Sequence, residues 1–517
     1  MSTLWLTILL LPLAKESPKA SPPNFVVILC DDLGYGDVSC LNPKGKIPTP
    51  NMDKIAREGM SFTDAHSGSS VCSPTRYGLL TGRYAWRGRL KKGVLGGLSP
   101  RLIEPGRLSI AQMLKDRGYH TAVLGKWHVG MDWEILPGKS VTGLGIEPLS
   151  QNRNVDYTKP IRNGPNSLGF DYFFGIAGSL DMIPYGYIHN NRLTGIPTGE
   201  RDFALMFGKA KGKTRKGPAV PGFEAANVLD DLAEKAIGFI SSSNQQAKKG
   251  KPFFLYLPLA SPHTPILPTD PWQGKSGLSA YADFVMATDD AIGKVVNALE
   301  KTGLSQNTLV IVTSDNGCSP QADFPALSKR NHHPSLSFRG TKADIFEGGH
   351  RVPFLVRWPG VTKPGSQSDR LVCLTDLMAT FAEITGESGA MLPESAAEDS
   401  FGFVDALKGK GLPGGRESIV HHSINGSFAI RQGAWKLALC PDSGGWSEPR
   451  PNTPMAIGLP RNQLYNLAED IGETTNRISD LPAKAAALEK LLTSLVENGR
   501  STPGAQQPNT TPVTLRP

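Results

Sequence analysis

Polar side chains suited to binding a cation and an anion follow four short apolar runs along the chain. The groups are Asp31-Asp32 after residues 24–30, Lys126-Trp127-His128 after 121–124, His263 after 252–257, and Asp315-Asn316 after 308–313. Three carboxylates and an asparagine amide form an all-oxygen ligand set, which suits a hard cation such as Ca²⁺ or Mg²⁺. Lysines and histidines beside such a cation suit a small anionic substrate. Because each group alone also fits a turn or a helix cap, the hypothesis depends on their convergence.

The elements that must position these groups alternate between strands and helices. We predict strands at 24–30, 121–124, 252–257, 308–313 and 353–358, and helices at 52–58, 108–117, 228–243 and 281–301. This alternation predicts an α/β sheet that is covered by helices on both faces. Ligands of such sheets bind beyond the carboxyl ends of the strands. If the strands are neighbours in one sheet, the four polar groups converge on one site.

The C-terminal part of the chain has a different pattern. Residues 427–439 predict two short antiparallel strands that turn at Gln432-Gly433, and residues 483–497 predict a terminal helix. We therefore expect a catalytic domain over residues 24–400 and a smaller C-terminal domain over 401–517. The boundary is placed in the Gly-, Pro- and Glu-rich stretch 386–416.

Composition indicates a globular protein. Of 517 residues, 39% are hydrophobic and 20% are charged, which excludes a disordered chain. The net charge of +8 favours polyanionic partners only weakly, and an ordinary solvated surface explains it equally well. The six cysteines form no C-x-x-C pair, so we expect neither a cysteine zinc site nor a disulfide framework. We expect no nucleic-acid partner.

The start of the chain is typical of an exported protein. Residues 4–14 form an apolar run that is too short to cross a bilayer and resembles the core of a secretory signal. A polar, Pro-rich linker follows at 15–23. We therefore expect residues 1–23 to be a signal peptide and linker, with the mature protein periplasmic or secreted and without a transmembrane anchor.

The remaining candidate is Cys72, in the stretch Cys72-Ser-Pro-Thr-Arg76 that precedes Thr81-Gly82-Arg83. This spacing is neither a zinc pattern nor a redox pattern. Here the chain resembles the type I sulfatases, whose signature is C-x-P-x-R followed by T-G-R. The resemblance covers about residues 24–470, and besides the groups after the strands it includes the stretches 125–130, 262–263, 339–342, 347–353, 435–437 and 463–467.

The resemblance implies the alkaline-phosphatase superfamily fold, with a large mixed sheet between helices and a small antiparallel C-terminal sheet. It also implies that a formylglycine-generating enzyme converts Cys72 to formylglycine before folding. One hydroxyl of the hydrated aldehyde would attack sulfur, and the other would later expel sulfate. By similarity, one Ca²⁺, or Mg²⁺ in a tight cavity, is held by Asp31, Asp32, residue 72, Asp315 and Asn316.

The same resemblance assigns the basic residues around the nucleophile. Arg76 and Lys126 orient the hydrate, and His128 acts on its second hydroxyl. His263 and Lys342 bind the sulfate group, and His263 is the expected acid at the leaving oxygen.

The expected substrate is a sulfated sugar or oligosaccharide. The Gly-Lys-Trp-His stretch at 125–128 and the stretch 337–342 resemble galactose- or N-acetylgalactosamine-6-sulfatases. Within the long insert 131–225, which includes the basic stretch 209–216, Asp181, His189 and Asn190 are candidates for binding sugar hydroxyls. Two alternatives stay open: a phosphate ester or phosphonate hydrolase of the same superfamily, and a non-catalytic protein that binds sulfated glycans with Cys72 unmodified.

Overall fold

A ten-stranded mixed sheet forms the centre of the molecule. The computed structural model describes residues 21–386, 392–411 and 415–516. Within these ranges the strands are β1 (Asn24–Asp31), β2 (Met60–Phe62), β3 (Ala65–His66), β4 (His120–Lys126), β5 (Tyr172–Ile176), β6 (Ile188–His189), β7 (Arg192–Leu193), β8 (Gly199–Arg201), β9 (Gly217–Ala219), β10 (Phe253–Pro262), β11 (Thr308–Ser314), β12 (Phe354–Arg357), β13 (Ser366–Ser368), β14 (Val372–Cys373), β15 (Ser418–His422), β16 (Phe428–Gln432), β17 (Trp435–Ala438) and β18 (Gln463–Asn466).

The strands of the central sheet follow the order β13-β2-β12-β11-β1-β10-β4-β5-β6-β7. Strands β11, β1, β10, β4 and β5 run parallel to one another, so the four strands predicted before the polar groups are neighbours. Strand β1 is buried along its whole length, as its uninterrupted apolar sequence predicts for the middle of a parallel sheet. The strand predicted at 353–358 is present as β12 and pairs antiparallel to β11, which makes the sheet mixed.

Helices cover both faces of this sheet. They are α1 (Pro50–Glu58), α2 (Cys72–Thr81), α3 (Ile110–Asp116), α4 (Val228–Lys248), α5 (Ala280–Thr302), α6 (Phe324–Ser328), α7 (Glu347–His350), α8 (Leu377–Thr385), α9 (Val404–Leu407) and α10 (Pro482–Glu497). Phe253 of β10 packs against Phe239 of α4, whereas the next residue, Phe254, packs against Phe381 of α8. Since successive strand residues point to opposite faces, α4 and α8 lie on opposite sides of the sheet. The predicted α/β fold with a sandwiched sheet is confirmed.

A four-stranded antiparallel sheet of order β15-β16-β17-β18 forms the C-terminal part. Its middle hairpin, β16–β17, is the one predicted at 427–439, with Gln432 paired to Trp435. Ile430 and Leu437 belong to the same buried cluster as Leu488 of α10. Ala429 and Ala438 lie in another cluster with Ile345 and Phe346, so the two faces of the sheet have different partners.

The C-terminal tail returns to the segment that follows α2. Arg83 is buried and donates hydrogen bonds to the carbonyl of Pro508, at 3.0 Å, and to the hydroxyl of Thr510, at 3.1 Å. Arg87, also buried, donates one to Asn509 Oδ1 at 3.2 Å. The arginine of the T-G-R motif therefore connects the segment after α2 to the C-terminal tail.

Several expectations about the chain ends stay predictions. The apolar run 4–14 lies outside the described residues, as do residues 387–391 and 412–414 of the predicted boundary stretch. The last strand of the central sheet along the chain is β13, and the C-terminal sheet begins at β15. A domain boundary anywhere between these two strands fits the sheets, so the division at residue 400 stays a prediction. Among the helices of the described ranges, none has the length and apolarity needed to cross a membrane.

Candidate active site

The carboxyl ends of β1, β4, β10 and β11 bring the predicted site residues to one edge of the central sheet. Asp31 and Lys126 are the last residues of β1 and β4, and Asp315 directly follows β11. Asp31 forms an ion pair with Lys126, and its Oδ2 atom lies 3.4 Å from Arg76 Nη2. All four side chains are fully buried. The parallel neighbours therefore place these groups together, as open α/β sheets do.

Asp32 links β1 to the loop after β11. Its φ of 65° places it in the left-handed region, so the chain turns sharply at the strand end. Asn316 Nδ2 donates a hydrogen bond to Asp32 Oδ1 at 2.7 Å, and Lys342 Nζ lies 2.7 Å from the same oxygen. The Asp32 backbone N–H donates to Asp315 Oδ1 at 3.3 Å. The carboxylate pair, the amide and Lys342 thus form one connected group.

Helix α2 adds Cys72 and Arg76 to this group. Cys72 is the first residue of the helix, so Arg76, four positions later, lies on the same helix face. Arg76 donates to Asp315 Oδ2 at 2.7 Å and to the carbonyl of Lys126 at 2.8 Å. Cys72 Sγ and one oxygen each of Asp31 and Asp315 lie within 4.8 Å of one another. The C-x-P-x-R spacing therefore brings the side chain of residue 72 and the Arg76 guanidinium to the same two carboxylates, Asp31 and Asp315.

The charges of the site are closely balanced. Burial alone would raise the pKa of Asp31, but the positive charge of Lys126, with smaller contributions from other basic groups, holds it well below its usual range. Burial, and then the negative charge of Asp31, raise the pKa of Asp315 to about 6. The two carboxylates therefore repel each other, and a cation bound between them would offset that repulsion.

The donor atoms fit a hard cation. Asp31 Oδ1 and Asn316 Oδ1 are buried and accept no hydrogen bond from any residue that the structure describes. Buried oxygens without partners are costly, and a bound cation would satisfy both. With Asp32 and Asp315 beside them, the set consists of carboxylate and amide oxygens, which Ca²⁺ and Mg²⁺ prefer.

His128 is oriented as a proton acceptor. Its Nε2 atom lies 2.8 Å from the carbonyl oxygen of Leu95, which can only accept, so Nε2 bears the hydrogen. Nδ1 therefore has the lone pair, and it has no hydrogen-bond partner among the described side chains and backbone. Burial, and then the positive charges of Lys126 and Arg76, hold the pKa of His128 well below its usual range. The ring is thus neutral and free to accept a proton at Nδ1.

His263 directly follows β10, and its two ring nitrogens have different neighbours. Its Nδ1 atom lies 2.5 Å from the carbonyl of Thr264, which makes Nδ1 the donor. Its Nε2 atom lies 3.7 Å from Asp32 Oδ2. Nε2 is therefore the ring atom that is directed at the site.

Ser179 is a site residue that the sequence analysis missed. Its hydroxyl lies 3.2 Å from Lys126 Nζ and 3.3 Å from His263 Nδ1. It follows β5, the next parallel strand after β4, which was not predicted. The apolar run Tyr172–Ile176, followed by Ala-Gly-Ser, is the signal that could have indicated it.

The three candidates for sugar hydroxyls lie in different places. Asp181 is two residues beyond Ser179, and its Oδ1 atom is buried without a hydrogen-bond partner in the described part of the chain. His189 pairs with Phe174 in the β5–β6 ladder, and Asn190 Oδ1 accepts from the backbone N–H of Phe173. Both therefore lie beside the middle of β5, whereas Ser179 follows its carboxyl end.

A second group of buried histidines lies between the central part and the C-terminal sheet. His66, His350 and His421 come from β3, α7 and β15, and their ring nitrogens are close enough for a metal ion. The rings of His350 and His421 are stacked at 3.6 Å with an angle of 10° between them. Their lone pairs therefore run side by side and do not converge on one point, so this arrangement does not fit a metal site.

Cys72 as it stands in the sequence is a weak nucleophile. Burial raises the pKa of its thiol, although the charges of Lys126 and Lys342 oppose that rise. A neutral thiol reacts poorly, because the thiolate is the nucleophilic form. The acids and bases around residue 72 would therefore do little to make an unmodified cysteine react.

Comparison with known proteins gives consistent relatives. A family model described as Sulfatase matches residues 23–387. An N-acetylgalactosamine-6-O-sulfatase of Bacteroides thetaiotaomicron is 33% identical over 510 residues, which cover 92% of this chain and 93% of the relative. Human arylsulfatase A is 30% identical over 507 residues, covering 94% and 89% of the two chains. A solved structure described under the metabolism of multiple glycosaminoglycans by B. thetaiotaomicron superposes with a TM-score of 0.77 at 30% identity, covering 92% of this chain and all of the other.

Proposed function

The chain belongs to the sulfatase family and is a sulfuric ester hydrolase, and we propose that it removes the 6-sulfate from galactose or N-acetylgalactosamine units of a sulfated glycan. The observation that carries this proposal is the convergence of Cys72, the acids of β1 and β11, and two lysines at one edge of the sheet. The choice of sugar is supported by the relative named as an N-acetylgalactosamine-6-O-sulfatase, whose similarity extends over most of both chains.

We propose that Cys72 is converted to formylglycine by a formylglycine-generating enzyme. The conversion is a two-electron oxidation, in which an oxidant consumed by that enzyme accepts the electrons, sulfur leaves as sulfide and a carbonyl oxygen takes its place. The raised pKa of the buried Cys72 thiol supports this proposal, because an unmodified thiol would be mostly uncharged at neutral pH. A hydrated aldehyde instead presents two hydroxyl groups to the acids and bases around it.

The residues that would hold one Ca²⁺ or Mg²⁺ are Asp31, Asp32, Asp315, Asn316 and residue 72. The partnerless oxygens of Asp31 and Asn316 support this assignment. Such a cation would withdraw charge from the sulfate oxygens and so stabilise the transition state. Arg76 and Lys126 neutralise the acids next to residue 72, and Lys342, which pairs with Asp32, would bind the anionic ester.

The two histidines would move the protons. A hydrated aldehyde at residue 72 would supply the oxygen nucleophile, and one of the two carboxylates within 4.8 Å of Cys72 Sγ, Asp31 or Asp315, would take the proton of the attacking hydroxyl. With hydrogens on both of its ring nitrogens, His263 would give the Nε2 proton to the sugar oxygen as the bond from sulfur to that oxygen breaks. His128 Nδ1 would accept the proton of the second hydroxyl as the carbonyl re-forms and sulfate leaves, and water would restore the hydrate. The hydrogen bond from His128 Nε2 to Leu95 supports this division, because it leaves Nδ1 as the base.

We also propose that the protein is exported, on the basis of the apolar run at residues 4–14. Export would separate the catalyst from the cytoplasm and place it where extracellular glycans occur. Sequencing the N-terminus of the mature protein tests this, since a cytoplasmic chain that begins at Met1 contradicts it.

The experiment that tests the proposed activity uses protein co-produced with a formylglycine-generating enzyme, with the residue-72 peptide verified by mass spectrometry. Release of sulfate is measured from the 6-sulfates of N-acetylgalactosamine, galactose and N-acetylglucosamine, and from N-acetylgalactosamine 4-sulfate. A paired aryl sulfate and aryl phosphate serve as reference esters. We expect the highest kcat/KM with the two galacto-configured 6-sulfates. Preference for the aryl ester over every sugar overturns the glycan assignment, and faster release of phosphate than of sulfate indicates the phosphatase alternative.

A further inference from the structure

Asp344 is a buried carboxylate that follows Lys342 by two residues and takes no part in the proposed reaction. It belongs to the segment 341–345, in which every backbone N–H group donates a hydrogen bond. The acceptors, in chain order, are Asp344 Oδ2 at 2.8 Å and the carbonyl oxygens of Cys318 at 2.9 Å, Ser70 at 2.8 Å, Thr341 at 3.1 Å and Ser443 at 2.8 Å. The Asp344 carboxylate is the one side chain among these acceptors, so it is the acceptor that a substitution can remove.

The same carboxylate also binds a loop of the C-terminal sheet. Asp344 Oδ1 accepts hydrogen bonds from the backbone N–H of Trp446 at 2.7 Å and of Ser447 at 3.0 Å. The hydroxyl of Ser447 donates to Asp344 Oδ2. These donors lie in the loop between β17 and β18. One carboxylate therefore connects Thr341, the residue before Lys342, to the C-terminal part of the molecule.

The loop and the segment approach each other closely at Gly445. A methyl group at this position would lie 2.5 Å from Asp344 Oδ1 and 2.5 Å from the carbonyl oxygen of Ala343, so a larger residue requires the two to move apart. Ala343 has a φ of 80°, in the left-handed region, which a residue with a Cβ atom keeps only where its surroundings fix it. The carbonyl of Ala343 accepts from the backbone N–H of Ile424 at 3.0 Å. The backbone on both sides of Lys342 is thus held in one conformation.

Lys342 is the side chain that this segment contributes to the active site. Its Nζ atom lies 2.7 Å from Asp32 Oδ1 and 2.9 Å from Asp32 Oδ2, and the residue is buried. A lysine ammonium is a point charge on a flexible four-carbon stem. The position of that charge therefore depends on how firmly the backbone at the base of the stem is held.

From this arrangement we propose that Asp344 is a positioning residue for Lys342, and that it acts by joining Thr341 to the loop 443–447 of the C-terminal sheet. The inference rests on the proposed function, since it takes Lys342 as the residue that binds the anionic ester. Asp344 Oδ2 holds the backbone before Lys342, and Asp344 Oδ1 holds the loop. The C-terminal sheet thereby contributes to binding of the sulfate group through Asp344.

The test begins with Asp344→Asn in the formylglycine-containing, calcium-loaded enzyme. An amide has one oxygen, and its nitrogen cannot accept a hydrogen bond, so either Thr341 or the loop loses its acceptor. We expect KM for an aryl sulfate and the inhibition constant of inorganic sulfate to rise together by about fivefold to tenfold. This is part of the roughly tenfold to hundredfold loss for a complete hydrogen bond to a charged group. The change in kcat should stay below about twofold, because Lys342 binds the sulfate group before and during the reaction.

Two further variants make the test specific. Gly445→Ala disturbs the same contact from the side of the loop without removing a charge, and it should raise both constants in the same way. Asp289→Asn is the matched control, because Asp289 is a buried carboxylate of α5 that accepts from the backbone N–H of Asn51 at 3.0 Å and of Met52 at 2.8 Å. It should lower the melting temperature and leave both constants unchanged. An equal rise in both constants for Asp289→Asn means that the effect of Asp344 is one of general stability and overturns the inference.

A double variant separates failure of this inference from failure of the proposed function. Lys342→Ala should raise KM for the aryl sulfate by at least about tenfold. Adding Asp344→Asn to it should change KM by less than about twofold, because two residues that act through one group are not additive. If Lys342→Ala raises KM but the two substitutions multiply, or if neither Asp344→Asn nor Gly445→Ala has an effect, the inference alone is wrong. If Lys342→Ala leaves KM unchanged, the proposed role of Lys342 is wrong and the inference falls with it.

Discussion

We expect the side chain at position 72 to determine whether the site can turn over. Cys72→Ala should abolish sulfate release and leave the melting temperature nearly unchanged, because the substitution removes one atom from a buried side chain. Cys72→Ser should allow at most one sulfation of residue 72, since serine has no second hydroxyl to expel sulfate. Mass spectrometry of the residue-72 peptide after incubation with substrate measures the adduct. Sustained turnover by either variant would contradict the assigned nucleophile.

His128 is expected to act after the sugar has left. His128→Ala should lower kcat by about 10²-fold to 10⁴-fold, the usual contribution of a general base, and residue 72 should accumulate in its sulfated form. Because the pKa of His128 is held well below its usual range, the wild-type ring stays neutral as the pH falls below about 6.5. The second step, measured in single-turnover experiments, should therefore keep its rate at pH 6. A rate that halves near pH 6.5 would contradict the assigned environment.

At the level of elements, the central strands could be predicted because each is an uninterrupted apolar run. Strands β1, β4, β10 and β11 were predicted in this way, and the polar residues after them gave most of the candidate site. Strands β2 and β5 were not predicted. Strand β2 has three residues, too few for a periodic pattern, and β5 lies in the long insert. Ser179 was missed for the same reason. The tautomer of His128 also could not be predicted, since it depends on Leu95, a loop residue distant in sequence.

The histidines between the central part and the C-terminal sheet should make stability depend on pH. Burial holds the pKa of His66 below its usual value and those of His350 and His421 well below it. The unfolded chain therefore binds protons below about pH 6.5 that the folded chain does not, so stability is lost as the pH falls through that region. Glu473, with a pKa raised to about 7, opposes part of this loss. The other charged groups around the cluster are Asp64, Glu347, Arg351, Arg431 and Lys436.

His421→Asn tests this dependence. The asparagine amide can replace Nδ1 as the donor to the carbonyl of Ser67, which lies 3.1 Å away, and it does not titrate. The loss in free energy of unfolding between pH 6.5 and 5.5 should become smaller by about 1 kcal/mol, as linkage gives for one histidine over one pH unit. Denaturant unfolding at the two pH values measures it. An unchanged difference would mean that His421 titrates normally in the folded protein.

For the whole molecule, the cation site should couple activity to stability. Chelation should lower sulfatase activity and the melting temperature together, because a ligand that binds only the folded state stabilises it. Both should return when Ca²⁺ is added back, and activity and thermal melts measured on the same samples check this. Full activity in a preparation that elemental analysis finds free of divalent metal would refute the site.

The C-terminal tail should stabilise the region around α2. Removing residues 505–517 deletes three hydrogen bonds of Arg83 and Arg87, two buried guanidinium groups that keep their ion pairs with Glu398 and Asp399. At about 1.5 kcal/mol for each hydrogen bond to a charged group, and about 2.1 cal/mol/K per residue of unfolding entropy, we expect the melting temperature to fall by about 4 °C. Arg516→Ala, which breaks a more exposed pair with Glu489, is the control and should have little effect. Equal melting temperatures would mean that the tail contacts contribute nothing.

The contact between Arg83 and Pro508 also has a consequence for the order of synthesis. The two residues are 425 positions apart, and a ribosome that adds about 5–20 residues per second needs roughly 20 to 85 seconds to pass from one to the other. During that interval the segment that begins at Cys72 has emerged without the tail residues that it contacts in the folded protein. A maturation enzyme that acts on unfolded Cys72 therefore has at least this interval before the contacts with residues 508–510 can form.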